Sequence, residues 1–287
     1  MSFVAFSEGS LIMSEKEVRI GLALSGGVAR GPAHIGVLRV LEQAGIPIHC
    51  VAGTSAGSIV GAAYCAGLSV DALEKMALTG GWQNIVRLQW PRHGLVSFAG
   101  LEPWLESMIG VLDVRDLALP FTAVATDLVS GEAVVLKQGR LATAVHASCA
   151  VPGLVEPVEI NGRLLCDGGV SCNLPSKAVR DMGANYVIGV DLFVPRDGKQ
   201  WGPLGAGAAA IETMIRNTGG GIQEADCLIK PDISGFSYFR FSQAKQFIAY
   251  GEAAAHTALP KIQADLAQLS KEQNVMMGDE WRVAIEA

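Results

Sequence analysis

One local pattern occurs twice in the first quarter of the chain, and it restricts the possible folds more than any other feature. Each copy consists of a short apolar run, a glycine-rich turn and a segment with helical periodicity. The copies occupy residues 18–45 and 48–66, and their apolar runs are Val18 to Leu24 and Ile48 to Ala52. Because a helix is the usual connection between parallel strands, the repetition predicts a parallel sheet covered by helices.

The rest of the chain continues this alternation. Further strands are predicted at Phe121 to Leu128, Ala133 to Leu136, Val155 to Ile160, Arg163 to Cys166, Asn185 to Leu192 and Leu228 to Lys230. Helices are predicted at Pro175 to Met182 and at Gln243 to Leu269, the second interrupted near Pro260. Asn161-Gly162 predicts a two-residue hairpin turn. We therefore predict an α/β fold with a mostly parallel central sheet and helices on both faces.

No internal repeat, charge block or low-complexity linker divides the chain. We predict a flexible leader at residues 1–17 and a single domain at residues 18–287. The leader lacks the cationic start and the continuous apolar stretch of a signal peptide. Residues 49–70 carry no Asp, Glu, Lys or Arg, but their many glycines favour a buried strand, turn and helix over a membrane span.

Charge and cysteine content limit the classes of binding partner and the cellular compartment that we predict. The net charge is −6 and no Lys/Arg run interrupts it, so the chain lacks the electrostatic footprint of a nucleic-acid-binding protein. None of the six cysteines forms a C-x-x-C pair, which predicts reduced, buried thiols in a cytoplasmic protein. The sequence has no H-E-x-x-H and no Cys/His cluster at ligand spacing, so we predict neither a metal nor a cofactor.

The second glycine-rich turn, Gly53-Thr54-Ser55-Ala56-Gly57, fits the G-x-S-x-G pattern of a nucleophile elbow. In such an elbow the serine lies on a strained turn between a strand and a helix, and the glycines allow close backbone contact. The apolar strand before it and the helix of small residues after it supply the required context. The pattern also arises by chance in a glycine-rich chain, so Ser55 alone is an ambiguous candidate.

The first glycine-rich turn, residues 25–31, allows several interpretations. A dinucleotide fingerprint requires a glycine where Val28 stands, and a phosphate-binding P-loop requires a G-K-[ST] ending that Arg30-Gly31-Pro32 does not provide. A third interpretation is an oxyanion hole made by backbone N–H groups of Gly26, Gly27 and Val28. A plain connector between strand and helix is the fourth.

A serine nucleophile needs a base, and the candidates differ in context. The histidines at 34, 49, 93, 146 and 256 stand in no recognisable motif. Asp167 follows a predicted hairpin strand and precedes Gly168 and Gly169, which would let its carboxylate approach another backbone closely. By itself, Asp-Gly-Gly is more typical of a turn than of a catalytic site.

Taken together and in this order, the three motifs resemble those of the patatin-like phospholipase family, and the likeness is closest to its short bacterial members related to the catalytic domain of neuropathy target esterase. The stretches 33–38, 126–128, 148–152 and 173–175 agree with it, and the resemblance extends over about residues 18–270. It implies a three-layer α/β/α fold. It further implies the site residues: Ser55 as nucleophile, Asp167 as base, Gly26, Gly27 and Val28 as oxyanion donors, and Arg30, Gly53, Gly57, Gly168 and Gly169 in support.

Val28 departs from the family's glycine loop, which is commonly G-G-G-x-[RK]-G. An oxyanion donor uses its N–H group, so valine is tolerable at this position if its φ stays negative. The replacement could narrow the pocket or shift the preference among acyl groups.

The resemblance implies a serine acyl-hydrolase acting on a lipid ester such as a lysophospholipid, a phospholipid or another fatty-acyl ester, with peripheral contact to the inner face of the membrane. Two alternatives stay open. An α/β-hydrolase would use a Ser–Asp–His triad, with His256 as the last member in chain order. A lipid-sensing regulatory protein would keep the fold without catalysis.

Two aromatic segments allow two interpretations each. The first is residues 82–104, with Trp82, Trp90, Phe98 and Trp104, and the second contains Phe236, Tyr238, Phe239 and Phe241. Each could be a lid or a membrane-touching edge, or a connection packed into the core.

Overall fold

The computed structural model describes residues 18–88, 94–193, 210, 212–236 and 240–286. The predicted leader lies outside these residues, and its flexibility stays a prediction. Within the described ranges, no helix is both long enough and apolar enough to cross a membrane.

The predicted strands and helices are present, most with shifts of one or two residues at their ends. Two predictions are wrong: the strand predicted at Val155 to Ile160 is two strands in different sheets, and the last helix continues to Glu286. The strands are β1 Ile20–Leu24, β2 Cys50–Thr54, β3 Arg87–Leu88, β4 Gly94–Ser97, β5 Phe121–Asp127, β6 Ala133–Leu136, β7 Gly153–Val155, β8 Val158–Ile160, β9 Arg163–Asp167, β10 Tyr186–Val190 and β11 Cys227–Ile229. The helices are α1 Pro32–Gln43, α2 Ala56–Cys65, α3 Val70–Thr79, α4 Trp82–Ile85, α5 Leu101–Ile109, α6 Leu141–Ser148, α7 Ser176–Asp181, α8 Gly221–Glu224 and α9 Ala244–Glu286.

The main sheet has eight strands in the order β11-β10-β1-β2-β5-β9-β8, and β6 also pairs with β5. The strands from β11 to β5 are parallel, whereas β6, β8 and β9 run antiparallel to their neighbours. The β8–β9 hairpin turns at Asn161 and Gly162, which both have positive φ, as the two-residue turn predicts. A smaller sheet pairs β3, β4 and β7.

Helices pack on both faces of the main sheet, and the alternation of side chains in β1 shows why. Leu22 and Leu24 belong to the larger apolar core, which also contains the buried faces of α1, α2 and α6. Ala23 points to the other face and belongs to a second core with residues of α7. A mixed, mostly parallel sheet between helical layers is therefore confirmed.

The helices α1 and α9 approach each other so closely that only glycine fits at two points of their crossing. A Cβ atom on Gly36 would overlap the backbone of Ile248, and one on Gly251 would overlap the backbone of Ala33. This contact fixes α1, and with it the start of the helix that follows the first glycine-rich turn.

The predicted interruption near Pro260 is wrong, because α9 continues through it. Proline removes one hydrogen-bond donor from the helix, which usually kinks or ends it. Here the helix is held against the core on both sides of Pro260, by Ala255 and Ile262, which are fully buried.

The aromatic segments are only partly described. In the first, Phe98 is buried and Trp104 packs against the core, while residues 89–93 and the side chain of Trp82 lie outside the described part. In the second, Phe236 makes edge-to-face contacts with Phe247 and Tyr250. The other aromatic side chains of that segment are not described. Core packing accounts for the described aromatics, and a lid or membrane role stays a prediction.

Candidate active site

The strand register brings Ser55 and Asp167 together. Thr54 at the end of β2 pairs with Val124 of β5, and the next residue of β5, Ala125, pairs with Asp167 of β9. Ser55 follows Thr54 and therefore lies across β5 from Asp167. The Ser55 side chain lies close enough to the Asp167 carboxyl to act on the pKa of that group, and both residues are 7% exposed.

The turn from β2 to α2, which we call the elbow, holds Ser55 in the left-handed region at φ 50° and ψ −121°. Glycine is required on either side of it. A Cβ atom on Gly53 would overlap the backbone of Gly57, and one on Gly57 would overlap the carbonyl group of Leu24. Backbone packing thus holds the serine in a conformation that costs about 1–3 kcal/mol.

Two other serines anchor the Ser55 backbone. The Ser55 N–H donates to Ser148 Oγ at 2.8 Å, and Ser148 Oγ donates onward to the Val124 carbonyl at 2.6 Å. Ser58 Oγ donates to the Ser55 carbonyl at 2.6 Å. Because Ser148 and Ser58 are fully buried, water does not compete for these bonds.

The Asp167 carboxyl is poised to exchange a proton near neutral pH. Burial raises its pKa to about 6, against the opposing effects of the neighbouring Ser55 side chain and of the hydrogen bond from the Gly169 N–H at 2.8 Å. A Cβ atom on Gly168 would overlap the Val124 carbonyl. The pair of glycines therefore lets the carboxylate press against β5, as the sequence predicts.

The first glycine-rich turn, residues 25–31, which we call the glycine loop, lies beside the elbow because β1 and β2 are adjacent and parallel. The Gly26 N–H donates to Asn173 Oδ1 at 3.2 Å. Within the described residues, the N–H groups of Gly27 and Val28 donate to no acceptor. The geometry therefore leaves two of the three predicted oxyanion donors free to meet a substrate.

Val28 does not meet the condition of a negative φ, since its φ is 52°. The physical reason is the tight turn that follows: the Arg30 N–H donates to the Gly27 carbonyl and the Gly31 N–H to the Val28 carbonyl. The Arg30 side chain, fully buried, donates to the carbonyls of Leu192 and Phe236 and ties the turn to the rest of the domain.

An apolar cavity of about 180 Å³ opens beside Ser55. Its walls come from the glycine loop, the helices α1 to α5 and residues 149–154, and they include Val28, Ile59, Met76, Trp104 and Cys149. Burial raises the pKa of the Cys149 thiol well above its usual range. This cysteine therefore stays protonated next to Ser55 and is a poor nucleophile.

The described histidines are occupied elsewhere. His34 Nε2 bonds to the Ser25 carbonyl at 2.9 Å, His49 Nδ1 accepts from the Ile20 N–H, and His146 Nδ1 bonds to Glu102. His256 is exposed on α9, and His93 lies outside the described residues. No described histidine bonds to Ser55 or Asp167.

Sequence reasoning missed two site residues, Ser148 and Asn173. Both lie in stretches that agreed with the resemblance, at 148–152 and 173–175, but nothing local assigns them a partner. Ser148 accepts a hydrogen bond from the Ser55 N–H, 93 positions away in the sequence, and Asn173 accepts one from the Gly26 N–H, 147 positions away.

All six cysteines are free, and all are buried except Cys172, which is half-buried. Across the described ranges, no group of three or more His, Cys, Asp or Glu side chains is arranged to hold a metal ion.

Comparison with known proteins agrees with this geometry. A family model described as patatin-like phospholipase matches residues 22–179. An uncharacterized NTE family protein of Mycobacterium tuberculosis is 36% identical over 208 residues, which cover 70% of this chain and 56% of that protein. The patatin-like phospholipase domain-containing protein 6 of Homo sapiens is 35% identical over 181 residues, which cover 60% of this chain and 13% of that protein.

Among solved structures, VipD from Legionella pneumophila matches with a TM-score of 0.53 and 14% identity, over 85% of this chain and 67% of that chain. At this identity the likeness shows the fold alone. The chain thus matches little more than half the length of the mycobacterial relative and a small part of the human one.

Proposed function

This chain belongs to the patatin-like phospholipase family, and from that premise we propose that it is a carboxylic ester hydrolase in which Ser55 and Asp167 form a catalytic dyad. The observation that carries the proposal is the proximity of the Ser55 and Asp167 side chains across β5, in a buried site that opens into an apolar cavity.

The reaction has two acyl-transfer steps. Asp167 takes the proton of Ser55 as its Oγ attacks the ester carbonyl carbon, and the N–H groups of Gly27 and Val28 stabilise the oxyanion. The protonated Asp167 then gives its proton to the leaving alcohol. In the second step Asp167 activates a water molecule, which releases the acyl group from Ser55. The N-terminus of α2 adds a favourable dipole at the serine.

The almost entirely apolar cavity supports a fatty-acyl ester as substrate, such as a lysophospholipid or a phospholipid. We further propose that residues 18–287 form one domain that acts in the cytoplasm and meets lipid at the inner membrane face. Exposed apolar side chains at Leu128 and Val129, on the turn after β5, are consistent with contact to lipid. The negative net charge argues against a nucleic-acid partner.

The alternatives receive less support. A triad through His256 would require that residue to reach Asp167, whereas it is exposed on α9. A lipid-sensing protein without catalysis would not need a strained serine that is held by the buried hydroxyls of Ser58 and Ser148 and faces a buried carboxyl, Asp167.

The decisive experiment measures hydrolysis of a medium-chain p-nitrophenyl ester by the wild type and by Ser55→Ala, Asp167→Asn and His256→Ala. We expect activity to disappear in the first two variants and to persist in the third. The wild-type kcat/KM should rise with pH through about 6, where Asp167 loses its proton. Loss of activity in a folded His256→Ala protein would instead favour the triad, and an inactive wild type would favour the lipid-sensing role.

A further inference from the structure

Val28 has a backbone conformation that valine rarely adopts. Within the described residues, the non-glycine residues with positive φ are Val28, Ser55 and Asn161. Asn161 lies in a hairpin turn that requires this conformation, and Ser55 is the proposed nucleophile on its elbow. For a β-branched residue the left-handed region is a genuine outlier, and such outliers concentrate at functional sites.

The N–H group of Val28 does not explain the presence of valine. Glycine at position 28 would offer the same N–H group and would adopt φ 52° without a steric penalty. The isopropyl group is therefore the part of the residue whose effect has to offset the strain.

The position of Val28 indicates what that group does. Val28 lines the same apolar cavity as Ser55 and Ala56. In the proposed reaction, which this inference rests on, the acyl carbonyl carbon bonds to Ser55 Oγ while its oxygen accepts from Gly27 and Val28. The next carbon of the acyl chain is attached to that same carbonyl carbon, so it lies beside the residue that holds the oxygen.

We propose that Val28 is a specificity-determining residue that selects acyl groups unbranched at the carbon next to the carbonyl. A linear chain passes the isopropyl group and continues into the cavity along Ile59 and Met76. A methyl branch at that first carbon meets the isopropyl group, and the strained backbone gives Val28 no easy way to move aside.

The first test compares kcat/KM for p-nitrophenyl pentanoate and p-nitrophenyl 2-methylpentanoate. The ratio of the two values cancels differences in folding and enzyme concentration, and its change from one variant to another also cancels the difference in intrinsic reactivity between the two esters. We expect the linear-to-branched ratio to fall by at least about tenfold in Val28→Gly, since one methyl group in an apolar pocket has effects of this size. Val28→Ala should lie between Val28→Gly and the wild type. Ile59→Ala, which enlarges the same cavity outside the glycine loop, should change absolute rates but not the ratio.

The second test does not depend on turnover. In a Ser55→Ala background, binding of decanamide and 2-methyldecanamide is followed by tryptophan fluorescence, for which Trp104 on the cavity wall is a reporter. We expect the linear amide to bind more tightly, and the added Val28→Gly substitution to reduce this preference by at least about tenfold.

These two measurements separate the outcomes. If the wild type hydrolyses neither ester, the proposed hydrolase function is wrong, and the binding ratio alone decides the role of Val28. If Val28→Gly keeps the wild-type ratio in binding, and in hydrolysis where it occurs, Val28 does not select acyl shape and the inference is overturned.

Discussion

Two turns meet at the candidate site, and both hold a residue other than glycine in the left-handed region. The elbow holds Ser55 at φ 50°, and the glycine loop holds Val28 at φ 52°. They follow adjacent parallel strands, and each has one backbone N–H capped by a distant buried side chain, Ser148 for the elbow and Asn173 for the loop.

The surroundings of the two turns differ. In the elbow, a Cβ atom on Gly57 would overlap the carbonyl of Leu24, so backbone lies against backbone. In the glycine loop, a Cβ atom on Gly27 would lie 3.0 Å and 3.1 Å from side-chain atoms of Leu192 and 3.6 Å from Arg30 Cβ, so it would meet side chains and need shifts of only a few tenths of an ångström. The elbow is therefore fixed by contacts that no substitution can relieve, whereas the loop has room for side-chain variation, of which Val28 is an instance.

The largest expected effect comes from adding one methyl group to each turn. Gly57→Ala should destabilise the protein by more than about 3 kcal/mol or prevent folding, because backbone atoms cannot move aside. Gly27→Ala should cost clearly less, since its Cβ atom would press on side-chain atoms of Leu192 at 3.0 Å or more and not on backbone atoms. Thermal and urea unfolding would measure both.

Gly235→Ala is the matched control for this comparison, because a Cβ atom there would meet open space. It should unfold like the wild type. Equal losses in Gly57→Ala and Gly27→Ala would mean that the two turns are held in the same way, which contradicts the comparison.

The elbow was more predictable from the sequence than the loop, for a physical reason. Gly53 and Gly57 lie against backbone atoms at distances that only glycine allows. The two glycines of the motif therefore predict the tight turn that sets the conformation of Ser55. Val28 gives no such signal. Its positive φ results from hydrogen bonds within the turn and from the buried Arg30, whose acceptors are far along the chain at Leu192 and Phe236.

Long-range contacts also explain which other predictions from the sequence are wrong and which are confirmed. Pro260 predicts a break in α9, but burial of its neighbours Ala255 and Ile262 overrides that local preference. The meeting of Ser55 and Asp167 was predictable only through the family resemblance, since it depends on β5 lying between their strands. Hairpin signals such as Asn161-Gly162 act locally, and the structure has the predicted turn there.

The next expected effect follows from removing the Ser148 hydroxyl, which caps the elbow. Ser148→Ala leaves the buried Ser55 N–H without its 2.8 Å acceptor, which should cost about 1–3 kcal/mol of stability. Because the serine backbone is then less well held, kcat should fall by about tenfold or more while KM changes little. Ser176→Ala is the control, since its buried hydroxyl has no hydrogen-bond partner among the described residues and lies on α7. A kcat loss shared by both variants would contradict a positioning role for Ser148.

A smaller effect is expected from removing the side-chain amide of Asn173, which caps the glycine loop. Asn173→Ala takes away the acceptor of the Gly26 N–H, whose hydrogen bond at 3.2 Å is longer than that of Ser55. The loss in kcat should therefore be smaller than in Ser148→Ala, about three- to tenfold. Asn185→Ala is the control, because it removes a similar hydrogen bond, to the Arg19 N–H, at the start of β10. If Asn173→Ala reduced kcat more than Ser148→Ala, the loop and not the elbow would be the more demanding turn.

The smallest effect is a pair of opposite pH slopes in stability. Asp167, at the elbow, has its pKa raised to about 6 by burial, so between its ordinary value of 3.8 and 6 the folded protein binds more protons than the unfolded chain. Its contribution to stability therefore falls as the pH rises. His34, next to the glycine loop, has its pKa lowered to about 4 by burial, against the opposing effect of its hydrogen bond with the Ser25 carbonyl. Between 4 and its ordinary 6.5 its contribution rises with pH.

Variants that remove one group at a time should separate these slopes. Relative to the wild type, Asp167→Asn should be more stable at pH 7 and lose this advantage as the pH falls from 6 to 4. His34→Gln keeps a donor for the Ser25 carbonyl, and its Tm relative to the wild type should increase as the pH falls from 6.5 to 4. Differential scanning calorimetry across this range measures both differences. Slopes of the same sign would show that Asp167 is not buried in its protonated form or that His34 is not buried in its neutral form.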